Sequence, residues 1–122
     1  MSKLSVRART AAEITLADFP IPKEQILGGR PAARIWISAQ SADQKTTQGV
    51  WDCAAGQFRW SYAWDEFVVI LEGEVTIASD GDKVTLRAGD HAHFPLGLQA
   101  IWTVPKYVKK TFVIRTPEPL AV

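Results

Sequence analysis

The 122-residue sequence predicts an all-β fold, a sandwich or barrel of short antiparallel strands. Three observations carry that expectation. Polar and apolar residues alternate in several short segments, as they do in strands with one wet face. Turn-forming residues recur at intervals of about 8–12 positions. No segment carries the amphipathic period of a helix.

In chain order, residues 1–32 are the least patterned, because Pro20, Pro22, Gly28, Gly29 and Pro31 interrupt any long element. They are expected to form an arm that wraps the domain, with a short strand at Glu13–Leu16. Residues 33–122 hold the strands, and arm and strands belong to one domain, since 122 residues are too few for two. Arg34–Ser38 and Lys83–Arg87 alternate, and so does Glu74–Ile77. Phe67–Leu71 is apolar on both faces, so it is expected to be central or covered. Asp80-Gly81 between alternating segments predicts a hairpin, and Val108–Arg115 a last strand.

Composition bounds the function. Hydrophobic residues are 47% and charged residues 22% of the chain, which excludes wholesale disorder. The net charge of +1 argues against a nucleic-acid partner, whose binding would rest on clustered Lys and Arg. Lys106, Lys109 and Lys110 form the densest basic group and read as a solvated strand end. One cysteine, Cys53, leaves no intramolecular disulfide and no multi-cysteine metal site. With no base beside it, Cys53 reads as a small buried hydrophobe. No apolar run approaches the roughly 18 residues of a membrane span, and the first ten residues carry bases with no apolar core after them. A cytoplasmic protein without membrane contact is therefore expected. Of twelve aromatic residues, six fall between Trp51 and Phe67.

Two spaced motifs narrow the fold. Glu66 is followed after six residues by Gly73, and Gly89-Asp90 is followed by Pro95, Leu96 and Gly97. Together these resemble the paired motifs of the cupin superfamily, over about residues 46–115. The resemblance implies a double-stranded β-helix, the RmlC-like cupin jelly roll. Gly49–Asp52, Gly56–Tyr62, Asp65–Phe67, Ile70–Gly73 and Trp102–Val104 are similar to a small single-domain subgroup. That subgroup includes ureidoglycine aminohydrolase-type and ethanolamine-utilisation-type cupins, many without assigned activity. Metal-binding cupins use an H-x-H pair, a Glu and a third His. By resemblance, Trp60 and Tyr62 stand at the first two His places, Ala100 at the third, and Glu66 alone is retained. One carboxylate cannot supply the three or four ligands of Zn²⁺ or Fe²⁺. No metal cofactor is therefore expected.

If residues 58–66 stay extended, Phe58, Trp60, Tyr62 and Glu66 share one face. The resemblance places that face inside the barrel. A ligand pocket is expected there, walled by Phe58, Trp60, Tyr62, Trp64, Ala100 and Trp102, with Glu66 as its acid. Three roles stay open for Glu66: organising the barrel, holding a small polar or amine-bearing molecule, or acid–base chemistry with Tyr62. As an anion it needs a partner, for which Arg59, Tyr62 and a ligand cation are the candidates. His91 and His93 share a strand face and read as surface residues, with a lumenal role or a relocated metal site with Glu66 as alternatives. Trp36, Trp51 and Trp102 read as core, and Asp52, Asp65 and Glu72 as turn or strand-edge residues. The outward set Phe67, Val69 and Leu71 calls for a cover, which makes a homodimer the expected assembly. The expected function is a metal-free small-molecule-binding barrel. The alternative is a small metabolic enzyme, ureidoglycine aminohydrolase-like or otherwise using Glu66 and Tyr62.

Overall fold

The alternating segments form eight antiparallel strands in a computed structural model that describes residues 4–122. They are β1 (Ala17–Asp18), β2 (Ile26–Gly29), β3 (Ala33–Gln40), β4 (Thr46–Ser61), β5 (Asp65–Ser79), β6 (Asp82–Arg87), β7 (His91–Phe94) and β8 (Gln99–Arg115). Two three-residue 3₁₀ turns are the helical elements of the described residues. One of them, Ala11–Glu13, and the two-residue β1 replace the strand expected at Glu13–Leu16. The last strand begins at Gln99 and not at Val108.

Three long strands organise everything else. β8 pairs β4 along one edge, from Thr46↔Arg115 to Ser61↔Gln99, and β5 along the other. Each long strand is too long to stay flat and changes register midway, between Ala54 and Gly56 in β4 and between Gly73 and Thr76 in β5. The halves therefore belong to two facing layers. β3 and β7 pair the first halves of β4 and β5, while β2 and β6 pair the second halves. Two sheets that share bent strands make the jelly roll the motifs imply.

The bulge has a consequence for side-chain direction. Before it, the odd residues Thr47, Trp51 and Cys53 face the interior; after it, the even residues Phe58, Trp60 and Tyr62 do. On β8 the even residues Trp102, Val104, Val108, Phe112 and Ile114 are buried. Gly73 sits at the β5 bend with φ +74°, and a Cβ there would lie 1.9 Å from the Tyr107 carbonyl oxygen. The β5–β6 hairpin turns through Asp80 and Gly81, both at positive φ, as the Asp-Gly signal predicts.

The arm packs by two kinds of contact. Ile21 is buried in the core, and Phe19 donates its backbone N–H to the Ala33 carbonyl at 2.9 Å. On the outer face, the Arg9 guanidinium lies 5.2 Å from the Trp36 ring centroid. Trp36 is thus a half-buried outer-face residue, not core, because its parity is opposite to that of Ile35 and Ile37. Phe67 and Leu71 remain exposed on the outer side of β5, and Val69 is half-buried.

Asp52 departs from its expected place at a turn or strand edge. It lies within β4, almost fully buried on the outer face, where Arg34 binds both carboxylate oxygens at 3.0 and 2.5 Å. The Tyr107 hydroxyl donates to it at 2.7 Å. Burial pushes the Asp52 carboxyl up, but the bonds from Arg34 and Tyr107 outweigh that and hold it below its ordinary value.

Candidate functional site

Between the two sheets lies a cavity of about 370 Å³. Sheet alternation delivers its walls. Ile35 and Ile37 come from β3, Trp51, Phe58 and Trp60 from β4, Tyr62 and Trp64 from the bend after it, Glu66 from β5, and Trp102, Lys110, Phe112 and Ile114 from β8. The arm closes one side with Phe19, Pro20 and Ile21, and residues 120–122 close another. The Leu120 N–H binds the Gln44 carbonyl and its own carbonyl accepts from Gln40 Nε2, both at 2.9 Å, which fixes that flap.

Of the residues expected in the pocket, Phe58, Trp60, Tyr62, Trp64, Glu66 and Trp102 do line this cavity. The chain does not stay extended from 58 to 66: it bends at Ala63 and Trp64, and two backbone bonds to the β7–β8 loop hold the approach to the bend in place. Tyr62 N–H donates to the Leu98 carbonyl at 2.9 Å, and Gly97 N–H donates to the Tyr62 carbonyl at 2.8 Å. Ala100 is buried opposite Trp60 on the neighbouring strand, inside the core rather than on the cavity wall. His91 and His93 are exposed on the outside of β7, opposite in parity to buried Phe94. The His93 ring stacks on Phe67 at a centroid distance of 4.4 Å and its Nε2 bonds Asp65 at 3.0 Å. The alternative of a lumenal or metal-binding pair with Glu66 therefore falls away: strand alternation turns these rings from it.

The aromatic rings brace one another. Trp102 stacks on Phe58 with 16° between planes and meets Trp51 edge-on at 5.6 Å. Tyr62 stacks on Phe94 at 5.0 Å, and its hydroxyl oxygen accepts the Trp102 Nε1–H at 3.0 Å. Burial first, and the nearby Glu66 charge second, push the Tyr62 phenol well above its ordinary range. It stays protonated at neutral pH. Having accepted one hydrogen bond, the hydroxyl keeps a proton to donate into the cavity.

The main correction concerns charge. Lys110 is not solvated: it is 5% exposed and points inward from β8. Its Nζ donates to Glu66 Oε2 at 2.5 Å, and Trp64 Nε1–H donates to Glu66 Oε1 at 3.3 Å. The ammonium also lies 4.6 Å from the Trp51 ring and 4.7 Å from the Trp102 ring. Glu66 is thus partnered by Lys110, and none of the candidates Arg59, Tyr62 or a ligand cation is needed. Alternation was the available signal. Val108, Lys110, Phe112 and Ile114 share one parity, so a lysine stands in an otherwise apolar row. Trp51, expected in the core, also lines the cavity, because the β4 bulge reverses the parity that selects Phe58 and Trp60.

The site does not fit the metal of metal-binding cupins. Trp60, Tyr62 and Ala100 offer no imidazole nitrogen or thiolate, and both oxygens of Glu66 are engaged by Lys110 and Trp64. Among the described residues no cluster of three or more His, Cys, Asp or Glu side chains could hold an ion. Cys53 is fully buried, and burial together with the Asp52 charge pushes its thiol up to about 12, as expected for an inert core residue.

Known proteins agree with this architecture. Residues 40–112 match the EutQ-like cupin domain. A candidate ethanolamine utilization protein Q from Salmonella typhimurium superposes with a TM-score of 0.75 at 19% identity, covering 90% of this chain and 85% of its own. The EutQ protein of Clostridium difficile gives 0.71 at 17% identity, covering 89% and 86%. A Pseudomonas syringae protein of unknown function gives 0.76 at 21% identity, covering 83% of this chain but 44% of the other. No functionally curated protein matches the sequence. No helix of the described residues is long and apolar enough to cross a membrane.

Proposed function

The chain belongs to the EutQ-like cupin family, and on that footing we propose that it is a small-molecule-binding barrel without a resident metal. Its ligand is small, mostly apolar and uncharged. One observation carries this reading: the cavity of about 370 Å³ is walled by aromatic and aliphatic side chains, and its two charged groups already satisfy each other. An ammonium ligand is disfavoured, because the carboxylate and the two indole faces that would receive it are held by Lys110. The Tyr62 hydroxyl supplies one directed donor, which suits a ligand carrying a single acceptor oxygen.

Four of the five tryptophans, Trp51, Trp60, Trp64 and Trp102, line the cavity, so intrinsic fluorescence reports on occupancy. Titration with a panel of small aromatic and aliphatic alcohols, ketones and esters should quench or shift the emission and raise the melting temperature. Ile35→Trp, which fills the space, should abolish both responses. A panel that leaves emission and melting unchanged would refute the binding reading.

Acid–base catalysis by Glu66 and Tyr62 is the weaker alternative. Glu66 is engaged on both oxygens, Oε2 by Lys110, so Lys110 and not a substrate is its direct partner for proton exchange, and the raised phenol serves as a donor and not as a base. The partner this reading retains is a second copy of the chain, covering exposed Phe67 and Leu71 in an isologous contact. A monomer at every concentration in sedimentation would remove it.

A further inference from the structure

Ligand binding gives Tyr62 and the rings a task but leaves Lys110 none. A buried lysine is costly, and apolar residues of similar volume hold a β-strand core as well or better. Lys110 also differs from a structural lysine in its place, since its side chain lines the cavity where a ligand would lie.

We propose that Lys110 captures the carbonyl group of a small apolar aldehyde as a reversible imine, with Glu66 as the proton carrier. The proposal rests on the cavity being a ligand pocket and adds the class of ligand and the bond it forms. Glu66 Oε2, 2.5 Å from Nζ, takes a proton from the ammonium and frees the nitrogen lone pair. The amine attacks the carbonyl carbon; a proton passes from nitrogen to the former carbonyl oxygen, giving a neutral carbinolamine. Glu66 then returns its proton to that hydroxyl, the C–O bond breaks, and water leaves as the C=N bond forms. The sum is ammonium plus aldehyde giving protonated imine plus water, with no oxidant or reductant.

Three features of the site suit this step. The protonated imine carries the same charge on the same nitrogen as the ammonium. The Trp51 and Trp102 faces, at 4.6 and 4.7 Å, and the Glu66 carboxylate therefore serve product as they serve reactant. The Tyr62 hydroxyl, whose side chain lines the same cavity, keeps a proton for the aldehyde oxygen. The apolar walls select an apolar substituent and limit the water that would hydrolyse the adduct.

Benzaldehyde with cyanoborohydride tests the proposal on the intact chain, because reduction fixes any imine as a benzyl group that peptide mapping locates. Exposed Lys23, Lys83 and Lys106 serve as internal references. Benzylation of Lys110 roughly 10-fold faster than at those lysines, and suppressed by benzyl alcohol, would support it. Benzyl alcohol, which cannot form an imine, separates the two levels of the argument. Should it quench the tryptophans while Lys110 is labelled no faster than exposed lysines, imine formation is overturned and the pocket stands. Should neither probe act, both readings fail. Glu66→Gln, which keeps shape and a hydrogen bond to Lys110, should slow labelling of Lys110 and leave that of the exposed lysines unchanged; equal rates would overturn the carrier role.

Discussion

Replacing Lys110 by Met should destabilise the protein far more than replacing Lys110 and Glu66 together. The charged groups are 2.5 Å apart with side chains each 7% exposed. At an effective dielectric of about 20 their attraction is about 6–7 kcal/mol, and the two indole faces add about 1–2 kcal/mol apiece. Desolvation of each ion costs several kcal/mol in return, so the pair as a whole nearly breaks even against an apolar pair. Lys110→Met leaves the carboxylate buried with Trp64 as its remaining side-chain donor, a loss of about 3–5 kcal/mol. The double variant Glu66→Leu/Lys110→Met removes both charges and leaves half-buried Trp64 Nε1–H without its acceptor. It should match the wild type within about 1–2 kcal/mol. Urea denaturation of the wild type, the single variants Lys110→Met and Glu66→Leu, and the double variant, fitted with a common m-value, gives the coupling directly. A Lys110→Met cost below about 1 kcal/mol, or single costs that simply add in the double, would refute the account of a desolvated pair.

Other perturbations follow from the same geometry. Tyr62→Phe should cost about 1–3 kcal/mol in urea melts, since the Trp102 indole N–H, on a residue 2% exposed, loses its acceptor; no loss would mean that water replaces the hydroxyl. Asp52 titrates below the ordinary carboxylate value of about 3.9, so its stabilisation is complete above about pH 4 and lost as pH falls further. Denaturation midpoints across acid pH should fall less steeply in Asp52→Asn than in the wild type, and parallel curves would contradict the assignment. Gly73→Ala should cost about 3 kcal/mol or more, because φ is +74° and the new Cβ meets the Tyr107 carbonyl at 1.9 Å. Gly81→Ala, at φ +81° but facing open space, should cost about 1–2 kcal/mol. Equal costs in a thermal melt would show that the contact at Gly73 is absent.

Local pattern made most of the fold legible. Alternation marks Arg34–Ser38, Glu74–Ile77 and Lys83–Arg87 as strands, and Asp80-Gly81 marks the turn between two of them, because both signals depend only on neighbouring residues. The shared face of Phe58, Trp60 and Tyr62 is legible for the same reason, whereas Glu66 lies on β5 beyond a bend, where alternation along one strand no longer applies. Lys110 sits in sequence beside Lys106 and Lys109, a grouping that signals a solvated surface, whereas its parity with Val108, Phe112 and Ile114 turns it inward. Asp52 was misplaced because its burial depends on Arg34 and Tyr107, the latter 55 positions away. Closure of the cavity by Phe19–Ile21 and by residues 120–122 has no local signature, since both segments are irregular and act through distant contacts. The bulge at Ala54–Gly56 is the remaining case: one extra residue reverses the rule by which faces are read, and Trp51 changes sides with it.

The central position of β8 bears on how the chain reaches this state. Gln99–Arg115 supplies the partner for both β4 and β5, so neither sheet is complete until the last quarter of the sequence is present. During synthesis the apolar faces of β4 and β5 must wait for it, and a ribosome adding about 5–20 residues per second makes that wait last seconds. Pairings this distant also place folding in the slow, millisecond-to-second regime of all-β domains. A chain truncated before Gln99 should therefore be a substrate for chaperones and proteases and not a smaller barrel.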